Sequence, residues 1–264
     1  MDPTANSQAS APASENASAP VAGQAHEGDS CTLEPSQSRK AQPAWACPRS
    51  HAVLWITAIV GLATDLVTKH LAFHNLRFDH PKTLVRGILS LNLSLNSGAL
   101  FGIGKGMSLL FILASILAVG FVGYMFASSQ RRQWVVHLAL GLVLAGALGN
   151  LYDRVFVKVD VVPGMEPRTV ITQIQPNGRI QVGDYPDGRR NIRNLPGSTH
   201  VERRTAVRDF IRVDVGWKRT RSDGTRVEHS LWPWIFNVAD SMLVVGVGLL
   251  LVIYWRQPAS RPVP

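Results

Sequence analysis

The chain of 264 residues is 46% hydrophobic and 17% charged, with a mean hydropathy of +0.08, an average that combines one very polar stretch with several very apolar ones and so argues against an ordinary soluble globule. The net charge of +9 raises nucleic acid as a partner, but no recognisable nucleic-acid module accompanies it, and basic residues beside a bilayer meet anionic headgroups, so phospholipid or a lipidated substrate is the better match. The two cysteines, Cys31 and Cys47, lie in the polar stretch at no metal-ligand spacing and with no histidine at motif distance, which leaves no metal, cofactor or thiol chemistry to assign.

Residues 1–50 are rich in Ala, Ser, Pro, Gln and Glu. They hold too little apolar surface to offset chain entropy and read as a disordered tail. Cys47 follows Ala44-Trp-Ala46, but the apolar run comes after it instead of before it, so neither a lipoprotein cleavage site nor a cleaved signal peptide fits. Four stretches then reach the roughly 20 apolar residues a helix needs to cross a bilayer: about 52–73, 107–127, 134–152 and 232–255. The short loop 128–133 holds Arg131 and Arg132, and Arg256 and Arg261 follow the last span. Short basic loops stay in the cytoplasm, which predicts both termini inside and the segments 74–106 and 153–231 outside. The second outer segment is basic as well, with 15 Lys/Arg against 9 Asp/Glu from Arg154 to Leu231, but it is too long for that rule to govern it. Thr169 to Gln175 alternates apolar and polar, breaks at Pro176-Asn177-Gly178 and resumes over Arg179 to Val182, the pattern of a hairpin. A second hairpin is predicted from Phe210 through Trp217, turning at Ser222-Asp223-Gly224 and returning through Val227. The fold class expected is a mainly α membrane protein: a four-helix transmembrane bundle over residues 51–257, a small extracytoplasmic β layer, a β-containing insertion at about 155–206 and a short tail at 258–264. Gly141, Gly146, Ala147 and Gly149 would let the third span approach its neighbours closely.

Charges inside spans are costly and usually mark function. Asp65 and Lys69 lie four residues apart on one helix face, and a buried ion pair is their simplest account. Arg154 could snorkel from the end of the third span, whereas Asn150 is harder to dismiss. Asn237 could cap the fourth span; Asp240 reads as too deep for that. All of these, together with the segment Asn92 to Ala99, fall toward one leaflet, leaving the other polar-poor. Scattered structural pairs would divide between leaflets, so the clustering predicts one site.

With no cysteine in the spans and no Ser-His pair at that leaflet, the available catalytic groups are carboxylates. Two close carboxylates share a proton, so one can act as base on water while the other polarises a carbonyl. Asp240 is one member; Asp209, Asp160 and Asp214 all compete to be the other.

Five blocks in order resemble the signal peptidase II family of lipoprotein signal peptidases: Asp65-Leu-Val-Thr-Lys69, Asn96-Ser-Gly-Ala-Leu-Phe101, Gly149-Asn-Leu-Tyr-Asp-Arg154, Val207-Arg-Asp-Phe-Ile211 and Phe236-Asn-Val-Ala-Asp240. The resemblance implies an aspartic endopeptidase of the bacterial inner membrane, needing no cofactor, that cuts diacylglyceryl-modified prolipoproteins before the lipidated cysteine. It further implies Asp209 and Asp240 as the catalytic dyad, Asn96, Gly98, Asn150, Arg154 and Asn237 as substrate-binding residues, and Asp65 and Lys69 as support. Two features depart from the family: the polar tail, and the roughly fifty residues between Arg154 and Asp209, where the family has a handful. Asp160 stands nearer the usual distance but lacks the following Phe. Outside this class, an inactive lipoprotein binder would also suit the tail and long outer loop, and a proton-coupled transporter would also use intramembrane carboxylates, although at the midplane.

Overall fold

The computed structural model describes residues 42–97, 108–165, 167–220 and 226–256. Among the described residues four helices are long and apolar enough to cross a membrane: α1 (Pro48–Asn75), α2 (Ser108–Ser128), α3 (Trp134–Phe156) and α4 (Val238–Trp255). The 18 residues of α4, the shortest of them, rise about 27 Å, close to the hydrocarbon thickness. α3 is the central element, packed by α1, α2 and α4. α1, α2 and α4 leave rows such as Ile56, Ile59 and Val60, or Leu113, Ile116 and Leu117, on the outside, as helices facing lipid do.

Small residues let α3 sit this close to two neighbours. A Cβ on Gly141 would fall 2.8 Å from the Leu54 carbonyl oxygen of α1, and one on Gly146 would fall 2.5 Å from the Ala239 carbonyl oxygen of α4. Below them Leu54, Ala58, Val136, Leu140, Val143, Leu144 and Leu250 fill the core between the helices.

Three boundaries differ from the composition-based reading. Regular structure is present before residue 51: Ala44–Ala46 form a 3-10 turn, Pro48 opens α1 at the position that lacks a helical N–H partner anyway, and the Ala44 N–H donates to Ser129 O at 2.9 Å. α3 runs on to Phe156, carrying Asp153 and Arg154 within the helix. α4 starts at Val238 and not at 232, because Ile235–Phe236 is taken up by a sheet and Asn237 holds an extended backbone as N-cap.

The described β structure comprises β1 (Lys82–Val85), β2 (Leu89–Asn96), β3 (Lys158–Val161), β4 (Thr169–Ile174), β5 (Ile180–Asp184), β6 (Arg193–Leu195), β7 (Glu202–Thr205), β8 (Val207–Val213), β9 (Gly216–Thr220), β10 (Arg226–Ser230) and β11 (Ile235–Phe236). A four-stranded antiparallel sheet has the order β1-β2-β8-β11, with Ser94 opposite Asp209. Its inner face, Leu93, Leu95 and Phe210, packs on Ala72 and Phe73 at the end of α1 and on Val157 and Val159. The hairpin expected over 169–182 is β4–β5, joined by β6 into a three-stranded sheet. The second hairpin is shorter than expected: β9 pairs with β10, whereas Phe210 belongs to β8 in the main sheet, and the turn residues lie outside the described chain. The insertion leaves α3 through β3 and returns through β7, which pair with each other, so β7 feeds directly into β8.

Candidate active site

One end of the helices meets the main sheet, and the polar residues of four elements converge there. Asp209 is 3% exposed on β8, and its Oδ1 accepts from Asn237 Nδ2 at 2.7 Å. Asn237 Nδ2 also reaches Asn150 Oδ1 at 3.2 Å, and Asn150 Nδ2 donates to Asp240 Oδ1 at 2.8 Å. The two carboxylates are thus joined through two amides, one from α3 and one from the cap of α4. Asp240 is not too deep to cap: it is the third residue of α4, where its Oδ2 accepts from the Asn237 N–H at 3.1 Å while Asn237 Oδ1 accepts from the Asp240 N–H at 3.0 Å. This reciprocal capping box fixes both side chains.

Behind them runs a buried charge network. Lys69 Nζ lies 2.7 Å from Asp65 Oδ2, 3.2 Å from Asp153 Oδ2 and 3.3 Å from Asn150 Oδ1. Asp153 also takes the Arg208 N–H at 2.9 Å and the Arg208 guanidinium at 2.6 and 3.0 Å. Asp65 Oδ1 accepts from the Ala239 N–H at 2.9 Å, so this carboxylate serves the opening turn of α4. Two anions and two cations balance, which is what allows them to be buried. The network ties α1, α3, α4 and β8 together. Arg208 and Asp209 are consecutive on a strand and point to opposite faces, so anchoring one orients the other.

The other face opens on a cavity of about 610 Å³ lined by Asn96, Asn150, Arg154, Asp209 and Asp240, with Phe111, Ala114 and Ala118 of α2, Leu243 of α4 and the Trp232–Phe236 segment around it. Arg154 is 7% exposed and does not snorkel; its guanidinium stacks 4.2 Å from the Phe111 ring centroid, and its Nη1 has no hydrogen-bond partner among the described residues. Burial first, then the negative charge of Asp240, pushes the Asp209 carboxyl up to about 8, against the donors of Asn237 and Asn96 and the charge of Lys69.

The competitors stand elsewhere. Asp160, on β3, accepts from Arg203 Nε at 2.9 Å and the Ile171 N–H at 2.8 Å. Asp214 lies 3.3 Å from Arg212 Nε. Neither lines the cavity. Gly98 falls outside the described residues. Sequence reasoning missed Asp153, although its spacing of three from Asn150 and four from Gly149 was the signal that it shares their helix face. It also overlooked polarity at the opposite end of the helices, where the fully buried His137 meets Ser129 Oγ at 3.1 Å. Among the described residues no group of His, Cys, Asp and Glu is arranged to hold a metal.

Comparison with known proteins identifies the family. The family model described as signal peptidase (SPase) II matches residues 57–256. The lipoprotein signal peptidase of Rhodococcus jostii is 34% identical over 221 residues, 83% of this chain and 80% of that protein. Those of Desulfitobacterium hafniense and Shouchella clausii are 28% and 32% identical, over 76% and 75% of this chain and 91% and 89% of theirs. A bacterial membrane enzyme solved by the in meso method shares the fold at a TM-score of 0.50 and 21% identity, covering 79% of this chain and 91% of that one. With the model spanning most of the chain and four apolar helices carrying the site, this multi-pass bacterial membrane protein belongs to the signal peptidase II family of aspartic peptidases.

Proposed function

We propose that Asp209 and Asp240 form the catalytic dyad of an endopeptidase that removes signal peptides from diacylglyceryl-modified prolipoproteins, cutting before the lipidated cysteine. The observation that carries this is the meeting of two carboxylates, from β8 and from the first turn of α4, at one cavity through Asn237 and Asn150. The raised Asp209 carboxyl holds the proton at neutral pH, and Asp240, receiving two N–H donors at a helix N-terminus, serves as the base. Asp240 takes a proton from the attacking water while Asp209 donates to the scissile carbonyl oxygen. Collapse of the tetrahedral intermediate breaks the C–N bond, and the amine leaves with a proton returned by the dyad. Asn96, Asn150, Asn237 and Arg154, whose Nη1 has no partner among the described residues, position the substrate backbone, and the resemblance extends this role to Gly98. Asp65 and Lys69 hold the scaffold. Phe111, Ala114, Ala118 and Leu243 offer the diacylglyceryl chains an apolar wall continuous with the helices.

The basic loop 128–133 supports placing both termini in the cytoplasm, with the dyad and the β layer at the outer leaflet. Anionic phospholipid is the surrounding partner. The test is cleavage of a diacylglyceryl prolipoprotein by purified protein in detergent. Asp209→Asn and Asp240→Asn should each abolish it and Asp160→Asn should retain it; activity surviving either dyad change refutes the mechanism, and an inactive wild type would favour a lipoprotein binder.

A further inference from the structure

A second cavity, about 390 Å³, adjoins the first: it is lined by Phe78 and Asp79 after α1, residues 92–95 of β2, Pro167 and Arg168 of the insertion, and Ile235, which lines both cavities. The register of β2 with β8 shifts between Leu91 and Ser94, so strict alternation fails there; Phe78 and Asp79, which precede β1 on the side of β2 away from β8, are what put the cavity along the outer edge of residues 92–95. Among the described residues, β1 accompanies β2 only as far as the Lys82–Leu91 pair, and beyond that no strand runs on the side away from β8. On the near side, Ser94 pairs with Asp209 itself.

The outer wall of this groove is held in place by the insertion. Arg168 Nη1 donates to Asp79 Oδ1 at 2.7 Å and its Nε lies 3.4 Å from Asp184, while Asn191 Nδ2 holds Asp79 Oδ2 at 2.9 Å. Arg190 donates to the His74 and Leu76 carbonyls at the end of α1, at 3.0 and 2.7 Å. These side chains serve one another, so the groove offers a peptide its strand edge and the apolar surfaces of Phe78, Pro167 and Ile235.

We propose that the insertion and the β2 edge form an extended subsite in which the mature-side segment of the substrate, the residues following the modified cysteine, adds as a strand beside residues 92–95. This rests on the peptidase reading above. The mature side is favoured over the signal peptide because no residue of α1 to α4 lines this groove, whereas α2, α3 and α4 all line the first. Strand addition takes affinity from main-chain hydrogen bonds and so accepts varied side chains.

The experiment compares synthetic diacylglyceryl lipopeptides carrying two or eight residues after the cysteine, cleaved by the full chain in detergent. Wild type should cleave the long one with kcat/KM about tenfold higher, equivalent to ~1.4 kcal/mol. Arg168→Ala and Phe78→Ala should bring the long-to-short ratio to about one. Should those variants misfold, N-methylation of alternate amides in the long lipopeptide tests the same point with wild-type enzyme: one register should remove the advantage and the other keep it. Equal rates for the two lengths, or an advantage indifferent to N-methylation in both registers, would overturn the subsite while leaving the peptidase reading intact. Failure to cleave either peptide would overturn both.

Discussion

The pH dependence of cleavage follows from the burial of Asp209. Its carboxyl stands at about 8 against an ordinary value of 3.8, chiefly because of burial and then because of Asp240. If protonated Asp209 polarises the scissile carbonyl, activity follows its protonated fraction. That fraction is about nine-tenths at pH 7 and about one-tenth at pH 9, so kcat/KM should fall about tenfold between them, with a limiting slope of −1 in the logarithm. Replacing Asn237 by Ala removes a donor that favours the ionised form, so the residual activity should show its alkaline limb displaced to higher pH. Stability follows the same sign. The folded-state value is the raised one, so the contribution of Asp209 is fully present below about 3.8 and is lost as pH rises through about 8, on the order of 5 kcal/mol across that window. Asp209→Asn, which carries no charge at any pH, should therefore unfold at a higher temperature than wild type at pH 9. Rates on a lipopeptide substrate from pH 5 to 10 and melting in detergent measure both. A rate profile flat to pH 10, or a limb that Asn237→Ala moves downward, would refute the reasoning.

Other outcomes follow from the scaffold. Lys69→Met leaves Asp65 and Asp153 buried without the cation between them and should cost about 3–5 kcal/mol, read as a lowered melting temperature in detergent. Gly149→Ala would place a methyl 2.5 Å from Asp65 Oδ2 and 3.2 Å from Ala239 Cβ, costing about 1–3 kcal/mol. At Gly123, also in a helix, nothing lies within 4 Å, and the same change should be neutral or slightly stabilising. Asn237→Ala also removes the α4 cap, with a loss of about 1 kcal/mol or more in the same melting assay.

The elements that sequence revealed are those governed by local pattern. Apolar length predicted the four helices, and alternation with Pro176-Asn177-Gly178 predicted β4–β5, because each needs only neighbouring residues to declare it. The spacing of Asp65 and Lys69 on one face likewise predicted their pairing, a contact within a single helix. Where local and non-local demands competed, pattern misled. The stretch from Trp232 to Asp240 is apolar enough to extend a span, yet β8 claims Ile235 and Phe236 by hydrogen bonding and Asn237 caps what remains. Asp240 thereby moves from a deep position to the third residue of its helix.

Sequence by itself determined that this chain carries four segments long and apolar enough to cross a membrane and that Asp65, Lys69, Asn150, Arg154, Asn237 and Asp240 fall toward one end of them, since length, hydropathy and helical spacing are properties of contiguous residues. Residue type alone left Asp160, Asp209 and Asp214 open as the partner of Asp240, and the resemblance of the Val207–Ile211 block pointed to Asp209; only the tertiary structure supplies the geometry that brings a carboxylate to Asp240 at one cavity. The pairing of β8 with β2 and β11, and the anchoring of Arg208 by Asp153, turn Asp209 into the cavity, while Asp160 is engaged by Arg203 and Ile171 within the insertion. Such choices depend on hydrogen bonds between residues tens of positions apart, which no periodicity along the chain records.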